Sequence, residues 1–208
     1  AYDCDAEHIY AVTLSAELSG SYNSAVLGMN LLKENAPDKK IHVFNSRSAS
    51  VGETLIALKI EECEQHGMEF EEIVETVENY INSQNTYFVL ENLETLRKNG
   101  RLSNLKAFVA NALKIKPVMG ATPEGTIIQL DQARGMNKAL MKLVDYVVEQ
   151  TESSQEKVLA ISHCNCRERA EMVKDAIVKR IPVKDVVLLD TAGVSTMYAN
   201  DGGIIVAI

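Results

Sequence analysis

Tryptophan is absent and aromatic residues make up only 5% of a chain that is 46% hydrophobic, so whatever core it builds is aliphatic. Basic residues are outnumbered, 21 Lys and Arg against 29 Asp and Glu, for a formal charge of −8. Nucleic acid and anionic membrane recruit clustered Lys and Arg, so neither is expected as the main partner. Cysteine is scarce. Cys4, Cys63, Cys164 and Cys166 lack the dense spacing of a secreted disulfide framework, and no signal-like apolar segment opens the chain, which points to the cytoplasm. No apolar run approaches the ~20 residues of a membrane-spanning helix, so no membrane insertion is expected. Low-complexity segments and short repeats are missing too, which excludes solenoids. What remains, 208 residues with 24% charged, is the balance of an ordinary folded protein with one substantial core or two small ones.

Short β-rich runs alternate with longer segments of helical period. Strands are expected at His8 to Leu14 and Ile41 to Phe44, and helices at Tyr22 to Glu34, Val51 to Gln65 and Phe70 to Asn82, with Gly67 breaking the last two apart. The polar stretch Asn82-Ser83-Gln84-Asn85 then divides a first α/β domain, residues 1–84, from a second, residues 85–208. The second is expected to hold a strand at Tyr87 to Leu90, a helix capped by Ser103, and a hairpin of Lys116 to Ala121 with Thr126 to Leu130. A helix at Lys138 to Glu149 precedes a renewed βαβ rhythm of strands at Val158 to Ser162, Val186 to Leu189 and Ile204 to Ile208, with a helix at Arg167 to Lys179. The fold class read from this alternation is α/β, two units with mainly parallel sheets.

The segment Thr13-Leu14-Ser15-Ala16-Glu17-Leu18-Ser19-Gly20-Ser21-Tyr22 joins the first strand to the first helix. In an open α/β sheet such a turn lies at the carboxyl edge of the strands, where ligands usually sit. The free N–H groups and dipole of the new helix favour an anion, and the hydroxyls of Ser15, Ser19 and Ser21 add donors. A plain N-cap at Ser19 or Ser21 explains the same spacing equally well. The turn has no P-loop lysine and no three-glycine dinucleotide fingerprint, and no G-x-S-x-G marks a nucleophile.

Four blocks in order carry a family resemblance. Ser15-Ala16-Glu17-Leu18-Ser19-Gly20-Ser21-Tyr22-Asn23-Ser24-Ala25 is similar to the serine-rich motif of the DegV family of fatty-acid-binding proteins. Asn45-Ser46-Arg47-Ser48-Ala49-Ser50-Val51-Gly52-Glu53 resembles its D-S-x-x-x-S-x-G stretch. Leu93-Glu94-Thr95-Leu96-Arg97-Lys98-Asn99-Gly100-Arg101-Leu102-Ser103 resembles its L-x-x-L-x-x-G-G-R-I-S block. Leu113-Lys114-Ile115-Lys116-Pro117-Val118, with Gly125 and Arg134 downstream, resembles its L-x-I-K-P stretch.

The resemblance implies two α/β domains with a tunnel between them that encloses one acyl chain, and no catalysis. It implies a carrier of a long-chain fatty acid that serves phospholipid metabolism by presenting the acid to a separate fatty acid kinase. By the same analogy Ser15 holds the carboxylate within the turn that includes Ser19, Gly20 and Ser21, and Arg101 and Arg134 belong to the polar network or partner-facing surface at the tunnel mouth. Two features depart from the family. Its opening segment, with a D-S strand end and a T-S-Q-P-S motif, has no match, so the first domain is expected to be N-terminally incomplete. Its closing H-x-G-P-G-like segment is here Tyr198-Ala199-Asn200-Asp201-Gly202-Gly203, so the family histidine's role is not carried over.

Ser162-His163-Cys164-Asn165-Cys166 offers three zinc-ligand types, but neighbours on a strand end diverge and no fourth ligand follows at a usual spacing, so no metal is expected. No cofactor is expected either. His8, His42 and His66 are isolated in sequence, and Glu61-Glu62 and Glu71-Glu72 read as solvated helix faces. The competing class is an enzyme acting on a small anionic metabolite at the same serine turn, with Arg101 and Arg134 as anion clamps, and it requires a general base or metal that no motif supplies.

Overall fold

A computed structural model describes residues 6–102 and 114–208. The chain forms two compact units: Ala1–Ala49, Glu53–Gln84 and Pro123–Thr126 make up the first, and Ser50–Gly52, Asn85–Thr122 and Ile127–Ile208 the second. The helix expected from Ser103 lies outside the described residues.

In the first unit, β1 (His8–Thr13) leads into α1 (Ser21–Asn35), and β2 (Lys40–Asn45) returns to pair with β1 in parallel, His8 opposite Lys40 and Thr13 opposite Asn45. Then come α2 (Val51–Gln65), whose first two residues belong to the second unit, and α3 (Phe70–Ser83). Gly67, at φ +68°, takes the left-handed conformation that reverses the chain between them. The apolar stripe Phe70, Ile73, Val77 and Ile81 recurs at helical spacing and is buried, which is why α3 forms where it does. Ile73, Val77 and Ile81 of this stripe close an apolar core with Phe44 from β2 and Ile56, Ile60 and Cys63 from α2. Tyr10 packs at its border and donates its hydroxyl to Glu64 at 2.7 Å.

The second unit contains β3 (Thr86–Val89), α4 (Glu94–Lys98), β4 (Ile115–Ala121), β5 (Ile127–Arg134), α5 (Met136–Gln150), β6 (Val158–His163), α6 (Arg167–Val178), β7 (Asp185–Asp190), α7 (Gly193–Ala199) and β8 (Ile204–Ala207). Its six-stranded sheet runs in the order β5-β4-β3-β8-β6-β7. Leu140, Leu143, Val144 and Val147 of α5 and Ala170, Val173 and Ile177 of α6 bury their apolar stripes against Tyr87, Val89, Leu159, Ile161, Ile204 and Val206.

The α/β class read from the sequence is the one observed, but the expectation of mainly parallel sheets holds only for β1 and β2. In the second sheet, β6 and β7 are parallel and the four other pairings are antiparallel. Two connections account for two of these pairings, β4 with β5 and β6 with β8. The link from Ala121 to Ile127 is a hairpin, which can only reverse the chain. After β7, α7 has seven residues and advances about 10 Å, whereas a return along a six-residue strand needs about 20 Å. The chain therefore re-enters the sheet at the edge where β7 ended, and β8 runs opposite to β6.

An ionic cluster ties four segments of this unit. Glu91 follows β3 and accepts from Lys116 of β4 at 2.7 Å and from Arg169 of α6 at 3.1 Å. Arg169 also donates to the carbonyl of Gly202, ahead of β8. Burial pulls the Glu91 carboxyl up, but the two cations outweigh it and hold the group below the usual glutamate value. Because the folded value lies below the unfolded one, this stabilisation is fully present above the ordinary glutamate range and is lost as pH falls through the lowered value. Glu91→Gln is therefore expected to lower the urea midpoint at pH 7. Its deficit should close as the titration is repeated at progressively lower pH; a deficit that stays constant with pH would place the effect elsewhere.

Candidate functional site

Parallel pairing of β1 with β2 puts the carboxyl ends of both strands at one edge, so the two turns that follow lie side by side. Each is rich in hydroxyls: Ser15, Ser19 and Ser21 after β1, and Ser46, Ser48 and Ser50 after β2. Backbone groups join them. Ser46 N–H donates to Thr13 O at 3.1 Å, and Ser15 N–H donates to Ser48 O at 3.0 Å. The Asn45 side chain completes the joint, its Oδ1 accepting from Ala16 N–H at 3.0 Å and from Arg47 N–H at 3.2 Å.

Ser15 is fully buried. Its hydroxyl donates to the carbonyl of Gly125 at 2.9 Å and accepts from Glu17 N–H at 3.3 Å. Its own carbonyl accepts from Leu18 and Ser19 N–H at 3.0 and 3.1 Å, which rolls the chain into a single turn before α1. Gly125 sits at the tip of the β4 and β5 hairpin, in the segment that belongs to the first unit, with φ +91°. A Cβ there would collide with Ser15 Oγ and lie 2.7 Å from Arg47 Cα. Glycine is thus required twice, by its φ and by the closeness of both turns.

Ser19 is half-buried, and its Oγ accepts from Ser21 N–H at 3.2 Å. Neither serine is the N-cap. That position is Gly20, exposed and with no side-chain cap, while Ser21 is the exposed first residue of α1. A Cβ on Gly20 would meet nothing within 4 Å, so space does not demand glycine there. Ser19 nonetheless satisfies one of the free N–H groups at the helix start, which leaves those that follow to face solvent or a ligand.

The assembled geometry is a short cradle of one buried hydroxyl, further serine hydroxyls and backbone N–H groups at a strand edge. Such a cradle suits an anion's oxygens. Among the described residues, the two hydrogen-bond partners of the Ser15 hydroxyl are both backbone groups.

The DegV family model matches residues 2–208. The chain belongs to the DegV family. A DegV domain-containing protein of Streptococcus pneumoniae is 35% identical over 200 residues, covering 96% of this chain and 70% of its own length. A DegV family crystal structure from Ruminococcus gnavus, refined with vaccenic acid, superposes with a TM-score of 0.96 at 63% identity, covering 100% of this chain and 74% of that one. The Streptococcus pneumoniae fatty acid kinase (Fak) B3 protein, loaded with linoleic acid, superposes with a TM-score of 0.88 at 34% identity, covering 98% and 72%.

Against the residues expected to form the DegV site, the structure brings Ser15, Ser19, Gly20 and Ser21 into one turn. Arg101 and Arg134 belong to the second unit. Arg101 is exposed just after α4, where its guanidinium donates to the Asn99 carbonyl, and Arg134 is the exposed last residue of β5, opposite Ile115. The DegV histidine segment is here the end of α7 and the turn to β8, with Asn200 and Gly202 at φ +56° and +83°. His163 is buried, with Nδ1 accepting from Cys166 N–H at 3.4 Å and lying 3.4 Å from Asp190. Cys164 and Cys166 carry free thiols, and burial pushes the Cys166 thiol up. Among the described residues no group of three His, Cys, Asp or Glu is arranged to hold a metal ion.

Sequence reasoning quoted Asn45, Arg47 and Gly125 within motifs but gave none of them a place in the site. The available signal was a second hydroxyl-rich turn after a second strand of the same parallel pair. Gly125→Ala is expected to cost about 1–3 kcal/mol, because it combines a disfavoured φ with a clash against Ser15 and Arg47. Urea denaturation measures it, and a cost no greater than that of Gly20→Ala would refute the packing described here.

Proposed function

We propose that this DegV protein binds one long-chain fatty acid, that the serine turn centred on Ser15 holds the carboxylate, and that it acts as a non-catalytic carrier presenting the acid to a fatty acid kinase. The observation that carries the reading is Ser15, a fully buried hydroxyl at the carboxyl edge of a parallel strand pair, in a DegV chain whose relative from Ruminococcus gnavus was refined with vaccenic acid. Ser19, Gly20 and Ser21 supply the surrounding N–H and hydroxyl groups, and Arg101 and Arg134 serve the head group or the kinase-facing surface. The Streptococcus pneumoniae Fatty Acid Kinase (Fak) B3 protein, 34% identical, supports the kinase as partner.

The energetics favour a carrier whose affinity comes from the tail. Each buried CH₂ contributes ~0.8 kcal/mol, so a tail of about fourteen methylenes supplies on the order of 11 kcal/mol before the costs of binding. The head group then sets orientation, and donors at its end offset the cost of taking a carboxylate out of water. A non-catalytic role is supported by the Ser15 hydroxyl, which is bonded to a carbonyl and not to a base. Among the described residues no helix is long and apolar enough to cross a membrane, and the thiols of Cys63, Cys164 and Cys166 are free. Both fit a carrier working in the cytoplasm.

Native mass spectrometry of the protein purified from a bacterial host is expected to show one adduct that denaturation releases as a C14 to C18 fatty acid. On binding, the Ser15 hydroxyl turns its single proton from the Gly125 carbonyl to the carboxylate; Ser15→Ala removes that hydrogen bond to a charged group, so titration with palmitic acid should show affinity down about tenfold or more, with tail-driven binding persisting. A bare protein mass that added palmitic acid leaves unchanged would sink the reading.

A further inference from the structure

The hydroxyls and N–H groups around Ser15 are neutral, the charged side chain of its turn is the exposed Glu17 carboxylate, and a carboxylate drawn out of water calls for a cation as well as dipoles. Within the first unit the cations are Lys33, Lys39, Lys40, Arg47 and Lys59. Lys33 lies in the last turn of α1, Lys39 and Lys40 at the amino end of β2, and Lys59 pairs with Glu62 on α2 at 2.9 Å. Among these described residues, only Arg47 stands at the carboxyl edge that carries Ser15.

Three observations bind it to that site. Its N–H shares the Asn45 oxygen with Ala16, and the adjacent Ser48 carbonyl accepts from Ser15 N–H. Gly125 is squeezed between Ser15 Oγ and Arg47 Cα, so the two residues flank one point. The guanidinium donates to a neutral acceptor, Asn82 Oδ1 at 2.7 Å, and among the described residues no carboxylate pairs with it. In a chain of net charge −8, an arginine beside a buried serine with no acid partner among the described residues is conspicuous. Its backbone, at φ +50°, sits in the left-handed region that glycine or asparagine occupies at less cost, so a side-chain role offsets the strain.

Resting on the fatty-acid reading above, we propose that Arg47 is the cation that pairs with the carboxylate held at Ser15, exchanging the Asn82 amide oxygen for it on a long flexible stem. This makes Arg47 the residue that separates an acid from a neutral lipid of equal length. An alcohol head group satisfies the serine hydroxyls but draws nothing from the guanidinium.

The test is titration of the full chain with palmitic acid and with hexadecanol. Arg47→Gln should weaken palmitic acid about ten- to a hundredfold, the range for a lost charge-assisted hydrogen bond, and leave hexadecanol within about twofold. Arg47→Lys should recover part of the loss, and Asn82→Ala should bind palmitic acid at least as well as the unaltered protein. Arg47→Gly suits the positive φ and guards against a folding defect, so it must lose palmitic acid as Arg47→Gln does. An equal loss for both lipids, or an unchanged palmitic acid affinity in a protein that binds it, overturns the assignment and leaves the fatty-acid reading standing. If the unaltered protein binds neither lipid, both fall together.

Discussion

The parallel register of β1 on β2 is the constraint on which the site depends. Thr13 opposite Asn45 places two turns at one edge, and the bonds from Ser46 N–H to Thr13 O, from Ser15 N–H to Ser48 O and from Ala16 N–H to Asn45 Oδ1 cross between those turns. A slip of one residue would turn Phe44 out of the core it closes with Ile73 and Val77, so the register is set by apolar burial and the site inherits it. Asn45 converts that alignment into chemistry, because one side-chain oxygen accepts from both turns and needs no flexible charged group to hold them.

Ser15 is the outcome of that alignment. A hydroxyl at zero exposure has to be bonded, and the hairpin tip at Gly125 provides the carbonyl. The same bond directs the hydroxyl proton to a backbone carbonyl, whereas in serine hydrolases a histidine takes it. In the proposed function, tail burial supplies affinity, hydroxyls and N–H groups supply orientation, and Arg47 supplies the charge.

Much of the fold was legible because its elements are short and strongly patterned. The bounds of α2, Val51–Gln65, coincide with those read from periodicity, and α3, β6 and α6 differ from their readings by a residue at an end. Strand direction was not legible. Period and length identify β8 as a strand, but its reversal depends on the shortness of α7, and neither α7 nor α4 has enough turns to stand out as a helical period. In the site, Ser15 could be found because a hydroxyl-rich turn after a strand is a local pattern. The partnership of Ser15 with Gly125 spans 110 residues, and nothing local announces it.

The motif residues divide by what they do. Lys116, in the L-x-I-K-P block, is bonded to Glu91, and Arg169 meets the same carboxylate from α6, so these charges fasten segments of the second unit to one another. Gly125, in the same block, serves through its lack of a side chain, and Gly202 likewise, since a Cβ there would strike Arg169 and Glu91. The family resemblance therefore rests in large part on residues that build frames. Frame residues tolerate little substitution because backbone or buried charge depends on them, whereas a residue whose task is to meet a ligand can be replaced by another that reaches the same point. Arg47, its backbone held by Asn45 and packed against Gly125 and its guanidinium bonded to the neutral Asn82 amide oxygen, is assigned to the second kind.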